Sequence, residues 1–531
     1  MVTLQGRTTA ATLAAATLLL AACGGGGSGS TGTGSGSGGS GGPPADPVWS
    51  AGHYQTPATY AAYCAVPRSG SDPVSGASYP DRQGSIVWEN AWIRAWSQAY
   101  YLWYRELPDR DPAAYATTDA YFKLMKTPAM TAAGTSKDRF HFTYPSSKWE
   151  SFATAGVQLG YGVTWAFVAL KTPRKLLVAY TDPATPASIA NLMRGDSVLQ
   201  IDGIDLVNAN DTASVNQLNG ALSPTRAGES HSFLLQDVNG GLHNVTMAAA
   251  SVTSTPVQHV QTLAAGGGLI GYFAFNDHIG SAEAELVAAI QTLAAAGVTD
   301  FVLDLRYNGG GLLDIASEVA FMIAGPARTT GRTFEQLAFN AKYPSTDPIT
   351  GAALQPTPFY ATARGFSVTA GTALPTLNLG RVIVLTGNDT CSASESIINS
   401  LKGIGVMVVQ IGAQTCGKPY GFYPQDNCGT TYFSIQFKGV NAVAFGDYAD
   451  GFVPANALTP NGGVPLPGCS VADDFSHALG DAAESRLAAA LNFAQSGTCP
   501  SPTGVGPLPT PLSIEGHVAK PVWLMNRIVH R

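Results

Sequence analysis

From residue 268 onward the chain alternates between short apolar runs and amphipathic runs, and this alternation constrains the fold more than any other feature. Gly271–Phe275 reads as a strand, Glu283–Ala296 as a helix and Phe301–Leu305 as a second strand. A glycine-rich turn and a helix from Leu312 follow. After an irregular stretch come the buried strand Arg381–Leu385, the helix Ser394–Leu401 and the buried strand Val406–Ile411. Strands that alternate with helices predict a parallel sheet covered by helices. In such a sheet ligands and reactive groups gather at the carboxyl ends of the strands, which is where the two most unusual turns of the sequence fall.

Upstream, Val87–Phe122 is helical and aromatic-rich, with Trp88, Trp92, Trp96, Tyr100 and Trp103 at spacings of three or four, a stripe that predicts core. Lys137-Asp138-Arg139-Phe140 lies between helical and strand-like segments and reads as a solvated turn. Residues 155–255 form a unit of short alternating strands around one helix, which starts at Ala187 and ends before Gly195. Tyr161-Gly162-Val163 precedes an apolar strand, Pro186-Ala187-Ser188 opens the helix, and Arg194-Gly195-Asp196 leads into Val198-Leu199-Gln200-Ile201-Asp202-Gly203. This texture resembles a PDZ domain of the bacterial protease type, which captures a peptide carboxylate with backbone N–H groups and adds the peptide as a strand. The plain alternative is an ordinary small β-rich domain.

Three segments near the sheet edge carry chemistry. Asp304-Leu305-Arg306-Tyr307-Asn308-Gly309-Gly310-Gly311 follows a strand, and its glycines let main-chain amides approach a ligand. Ser392 stands where a helix begins, among unpaired N–H donors suited to stabilising an oxyanion. Ser392-Ala393-Ser394-Glu395 also fits a capping box, a common helix start. Thr415-Cys416-Gly417-Lys418-Pro419 places a lysine beyond the last buried strand, 26 residues after Ser392. The order of these motifs resembles the carboxyl-terminal processing, or tail-specific, protease family over residues 85 to 455. That resemblance implies a crotonase/ClpP-like core, with Ser392 as nucleophile, Lys418 as general base, and the amides of Gly310 and Ala393 as the oxyanion hole. It also implies that Tyr161, Gly162 and Val163 form the carboxylate-binding loop, and that peptide bound there switches the protease on.

A lysine acts as a base only when neutral. Moving its pKa from ~10.4 to near 7 costs about 4 to 5 kcal/mol, which requires burial away from anions. Tyr420, Phe422 and Tyr423 supply apolar bulk nearby. The family commonly carries a glutamine four residues beyond the lysine, where this chain has Phe422; Gln425 and Gln414 are candidate substitutes. His278, after the strand Gly271–Phe275, is an alternative base or a structural histidine. Asp304, Arg306 and Glu395 read as ion-pairing and capping groups that fix the loops.

The first residues have the layout of a bacterial export signal: Arg7, an apolar run from Ala10 to Ala22, then Leu20-Ala21-Ala22-Cys23. The run is too short for a permanent membrane span. Leu-Ala-Ala-Cys resembles a lipobox in which Cys23 is acylated, and Gly24 in place of Asp favours the outer membrane. Residues 24–42 are Gly, Ser and Thr, a flexible tether. Six cysteines remain after Cys23, an even number that suits disulfides in an oxidising compartment, and Cys416–Cys428 is the favoured pair. Cys391, beside Ser392, reads as a disulfide partner, a small core residue or a redox-sensitive thiol. Only 12% of residues are charged and the net charge is −7, which argues against nucleic-acid partners.

No spacing suggests a metal or a cofactor. The expected organisation is α/β with mixed α+β: signal peptide (1–22), tether (23–46), helical N-terminal domain (47–154), PDZ-like domain (155–255) and serine protease core (256–470). A C-terminal helix, with Leu487, Leu491 and Phe493 in the core, and an extended tail complete it (471–531). The expected activity is an envelope serine endopeptidase that recognises protein or peptide C-termini. The alternatives are a catalytically silent lipoprotein that binds protein tails, and a serine hydrolase acting on something other than peptides.

Overall fold

Every second side chain of a strand faces the same way, and in the central sheet both sets are apolar. Phe273, Phe275, Phe301, Leu303, Val382 and Val384 enter one core cluster, and Tyr272, Val302, Ile383, Leu385, Val409 and Ile411 another. The sheet is therefore buried on both faces. In this computed structural model, which describes residues 44–72, 76–458, 460–502 and the pair Arg527–Ile528, its strand order is Val257–Ala265, Gly268–Phe275, Asp300–Asp304, Arg381–Thr386, Met407–Gly412, Gly468–Ser470. The first two strands pair antiparallel and all later neighbours pair parallel. Helices Ala282–Ala295, Leu313–Ala324 and Ala393–Gly403 cover one face. Helix Ser485–Ser496 covers the other, with Leu487 and Phe493 buried and Leu491 packed beside them. Each fully buried aliphatic side chain there contributes about 1.5–3 kcal/mol.

The N-terminal segment is woven into this core. Helix Ile86–Tyr100, capped by Ser85, stacks Trp92 on Trp96 at 5.3 Å, and both pack with Phe122 and Tyr432. Trp92 and Trp96 are core, whereas Trp88, Tyr100 and Trp103 are half-buried, and the helix ends at Tyr100, short of Trp103, which packs edge-on against Tyr420. Strand Phe142–Pro145 adds to Thr430–Phe433.

The β-rich unit is an antiparallel sheet in the order Leu242–Ala248, Ser230–Gln236, Ser197–Ile201, Lys175–Thr181, Val163–Ala169, which leaves Val163–Ala169 at an edge. The helix expected from Ala187 is a single turn, Pro186–Ile189, because Asn191 takes a left-handed conformation, φ 57°. The principal helix is Thr212–Leu222, capped by Asp211 and buried through Val215, Leu218 and Ala221. No helix among the described residues is long and apolar enough to cross a membrane.

Among the described residues three disulfides are present: Cys64–Cys428, Cys391–Cys416 and Cys469–Cys499. The expected Cys416–Cys428 pair does not form. Cys428 sits in the turn between strands Gln425–Asn427 and Thr430–Phe433, where it meets the N-terminal segment, whereas Cys416 faces the turn that carries Cys391. The export signal, Cys23 and the tether as far as residue 43 lie outside the described residues, as does most of the C-terminal tail. Within that tail, Arg527–Ile528 pairs parallel with Gly311–Leu312.

Candidate active site

Strand Arg381–Thr386 ends in a turn that delivers Ser392 to the start of helix Ala393–Gly403. Its backbone angles, φ 61° and ψ −114°, are ones an L-residue rarely adopts, and such strain costs about 1–3 kcal/mol. The turn is held from three sides. Cys391 N–H donates to the Asn308 carbonyl at 3.1 Å, Thr390 Oγ1 donates to the Leu305 carbonyl at 2.7 Å, and Ser392 N–H donates to Glu395 Oε2 at 3.0 Å. Only the glutamate half of the capping box is made, since Ser392 Oγ is buried and has no hydrogen-bond partner. The strained turn thus leaves the hydroxyl uncommitted.

Glu395 does more than cap. Its Oε2 accepts both Ser392 N–H and Lys418 N–H, the latter at 2.8 Å, and its Oε1 accepts Gly417 N–H at 2.9 Å and the Thr415 hydroxyl at 2.6 Å. Burial raises its carboxyl, and the bonds from Thr415, Lys418, Gly417 and Ser392 oppose that rise. One carboxylate therefore fastens the serine turn to the lysine loop, and the Cys391–Cys416 disulfide fastens the same two segments covalently. Cys391, Glu395 and Cys416 are the one group of potential metal ligands clustered among the described residues, and their sulfurs are joined to each other.

Lys418 is fully buried, its Nζ lying 4.5 Å from the centre of the Phe422 ring and 4.9 Å from that of Phe140. Burial pushes its ammonium down to about 7 against the opposing pull of Asp138 and Glu395. Phe422, which stands where the family resemblance places a glutamine, is thus part of the apolar wall that depresses the lysine. Gln414 does not replace that glutamine: its amide donates to the carbonyls of Asp450 and Asn461. The Gln425 amide donates to the Asp426 carbonyl.

Lys137-Asp138-Arg139-Phe140 is not a solvated turn. Asp138 and Phe140 are buried, Arg139 donates to the carbonyls of Cys416 and Ala449, and Phe140 lines the lysine pocket. A charged stretch between two elements gave no sign that distant loops would enclose it.

The glycine loop folds on Asn308. Asn308 Oδ1 accepts Gly310 N–H and His278 Nδ1–H, both at 2.9 Å, and Asn308 Nδ2 donates to the Phe275 carbonyl at 2.8 Å. In this conformation the Gly310 amide is engaged by Asn308, while the Ala393 amide has no acceptor among the described residues. Burial drives His278 down to about 3, which leaves it a poor proton acceptor near neutrality. Arg306 anchors the loop from below, pairing at 3.0 Å or less with Asp304, Asp473 and Glu484. It acts as a structural cation.

Tyr161, Gly162 and Val163 lie together at the start of the edge strand, apart from this cluster in sequence and element. The Tyr161 hydroxyl donates to the Ala221 carbonyl of helix Thr212–Leu222. Gly162 has φ 73°, and a Cβ there would lie 2.4 Å from the Thr185 side chain, so only glycine fits.

The parallel sheet thus carries a strained serine turn, a glycine loop and a buried lysine at its carboxyl edge. Residues 269–422 match the family model described as Peptidase family S41, and residues 89–142 match that described as Peptidase S41 N-terminal domain. The chain is thus similar to peptidase family S41 in its core and in its N-terminal segment. A carboxyl-terminal-processing protease of Picosynechococcus sp. is 26% identical over 237 residues, 44% of this chain and 49% of that protein. One of Synechocystis sp. is 27% identical over 139 residues, 26% of this chain and 31% of that protein. The match thus spans about half the length of these relatives, or less. A crystal structure described as an S41 protease of Bacteroides fragilis shares the fold, with a TM-score of 0.57 at 23% identity over 79% of this chain and 98% of that one.

Proposed function

We propose that the protein is a serine endopeptidase of the carboxyl-terminal processing type, with Ser392 as nucleophile and Lys418 as its base. The observation that carries this reading is the joint fastening of the two residues. A strained turn presents an uncommitted serine hydroxyl, and Glu395 and a disulfide bind that turn to the loop of a lysine whose proton affinity lies near neutrality. Neutral Lys418 takes the hydroxyl proton as Ser392 Oγ attacks a peptide carbonyl, and the resulting ammonium returns it to the leaving amine. Water then hydrolyses the acyl-enzyme by the same base. The Ala393 amide, at a helix N-terminus, stabilises the developing oxyanion. Gly310 joins it once its amide is released from Asn308.

The β-rich unit serves as a PDZ-like reader of substrate C-termini. Its edge strand Val163–Ala169 offers unpaired backbone groups to an incoming peptide, and the loop Tyr161-Gly162-Val163 receives the terminal carboxylate. The Leu20-Ala21-Ala22-Cys23 segment supports export and lipid anchoring at Cys23, at the cell envelope. A fluorophosphonate probe tests the chemistry: labelling of the unmodified protein is expected on Ser392 and is lost in Ser392→Ala. Equal labelling of the two forms, or none of either, overturns the assignment.

A further inference from the structure

Lys418 lacks the glutamine that the family resemblance would place beside it, yet its pocket has a polar wall. That wall comes from the N-terminal segment, some 280 residues earlier in the chain. Arg139 clasps the carbonyl of Cys416, two residues before the lysine, and reaches the Ala449 carbonyl at 3.4 Å. Phe140 lays its ring against Lys418 Nζ at 4.9 Å, and its own N–H donates to Asp138 Oδ1 at 3.0 Å. Asp138 is wholly buried and is held on its other oxygen by the Tyr101 hydroxyl at 2.7 Å, which in turn accepts Thr127 N–H at 3.0 Å. A carboxylate placed this deep, with each oxygen held, has a fixed position relative to the lysine behind Phe140.

We propose that Asp138 is the positioning residue of Lys418: its carboxylate holds the lysine's protonated form in the pocket and sets the pH at which the amine becomes available as a base. The inference rests on Lys418 being the base proposed above, but its test does not depend on turnover. Among the groups that act on Lys418, Asp138 is the foremost that favours the ammonium, followed by Glu395. Arg139 and Tyr420 also act on Asp138, and His141 approaches it with Nδ1 at 3.7 Å. Burial lowers His141 to about 4, so near neutrality it carries no charge that competes with Lys418 for the carboxylate. Among the described residues, Asp138 and Glu395 are thus the two carboxyl groups that act on the buried amine. Glu395 is already committed to four donors around the serine turn and the lysine loop.

The experiment follows the lysine itself. In protein labelled with carbon-13 at lysine Cε, the Lys418 signal, assigned by its loss in Lys418→Arg, is titrated by NMR. Asp138→Asn keeps acceptor and shape and removes only the charge, so the titration midpoint is expected to fall by about one pH unit. Tyr101→Phe removes a hydrogen bond but no charge and is expected to leave the midpoint in place. Should Asp138→Asn not fold, Asp138→Ser retains an acceptor for the Phe140 amide and is expected to shift the midpoint the same way. An unchanged midpoint in whichever variant folds makes Asp138 a purely structural carboxylate and overturns the proposal. Failure of the serine chemistry is separately visible as absent probe labelling at Ser392, which does not enter this titration.

Discussion

At the scale of single residues the site turns on the proton of Lys418. Its folded value, about 7, lies below the ~10.4 of an unperturbed lysine, so the amine is protonated and inert as a base below that midpoint and neutral above it. The rate of Ser392 acylation is therefore expected to rise with pH through about 7 and level off above it, while Lys418→Arg, whose guanidinium does not deprotonate, stays near background throughout. A pH series of probe-labelling rates checks both. The same shift has a stability consequence with a definite sign. Between about 7 and ~10.4 the unfolded chain binds a proton at this position that the folded chain does not, so the destabilisation from burying Lys418 is greatest below that window and fades as pH rises through it. Ser392 and Lys418 stand out in the sequence as candidates because each follows an apolar strand within an order of motifs that resembles the carboxyl-terminal processing proteases. Asp138 does not, because its importance lies in contacts with residues remote in the chain, and Asn308 stands within the glycine-loop motif without showing its bonds to His278 and Phe275.

At the scale of elements the site is a joint between two strand ends. Strand Arg381–Thr386 and strand Met407–Gly412 run parallel and side by side, and the segments that leave them carry Ser392 and Lys418. The sheet itself was legible, because parallel strands buried on both faces declare themselves as continuous apolar runs. The helix Thr212–Leu222 was not, although Val215, Leu218 and Ala221 recur at helical spacing behind an aspartate cap, since the neighbouring Pro186-Ala187-Ser188 offered a stronger start signal. The disulfide map was illegible for a physical reason: Cys64 and Cys428 are 364 residues apart, a separation that no local pattern encodes. The Cys391–Cys416 bond closes a separation of 25 residues, worth about 3.5 kcal/mol in the chain-entropy view. The double variant Cys391→Ser with Cys416→Ser is expected to lower unfolding stability by about that amount in urea titration. It is also expected to slow Ser392 labelling, because only Glu395 and the hydrogen bond from Cys416 N–H to the Thr390 carbonyl are then seen to fasten the serine turn to the lysine loop among the described residues. Removal of Cys469–Cys499, on the opposite face of the sheet, should cost stability without slowing the labelling of the fraction that remains folded.

At the scale of the molecule the β-rich unit and the catalytic edge meet through Arg194. This residue leaves the Arg194-Gly195-Asp196 turn, donates to the Ala179 carbonyl within its own sheet at 2.9 Å, and reaches the Tyr307 hydroxyl and Asp473, both at 2.7 Å. Tyr307 belongs to the glycine loop, and Asp473 also binds Arg306 of that loop at 2.8 Å. Asp473 is held far below the usual carboxylate range by Arg486, Arg306 and Arg194 despite its burial, so the junction stays ionised at any working pH. Gly195 is equally constrained, since a Cβ there would lie 2.1 Å from the Phe475 carbonyl oxygen. The edge strand proposed to receive a peptide is thus separated by one sheet and one arginine from the loop whose Gly310 amide is held by Asn308. If peptide binding is transmitted by this route, Arg194→Gln should leave the affinity for a peptide with a free C-terminal carboxylate unchanged, as read by calorimetry. It should also abolish the acceleration of Ser392 labelling that the same peptide produces in the unmodified protein. Equal acceleration in both forms would show that the glycine loop does not receive its signal through Arg194.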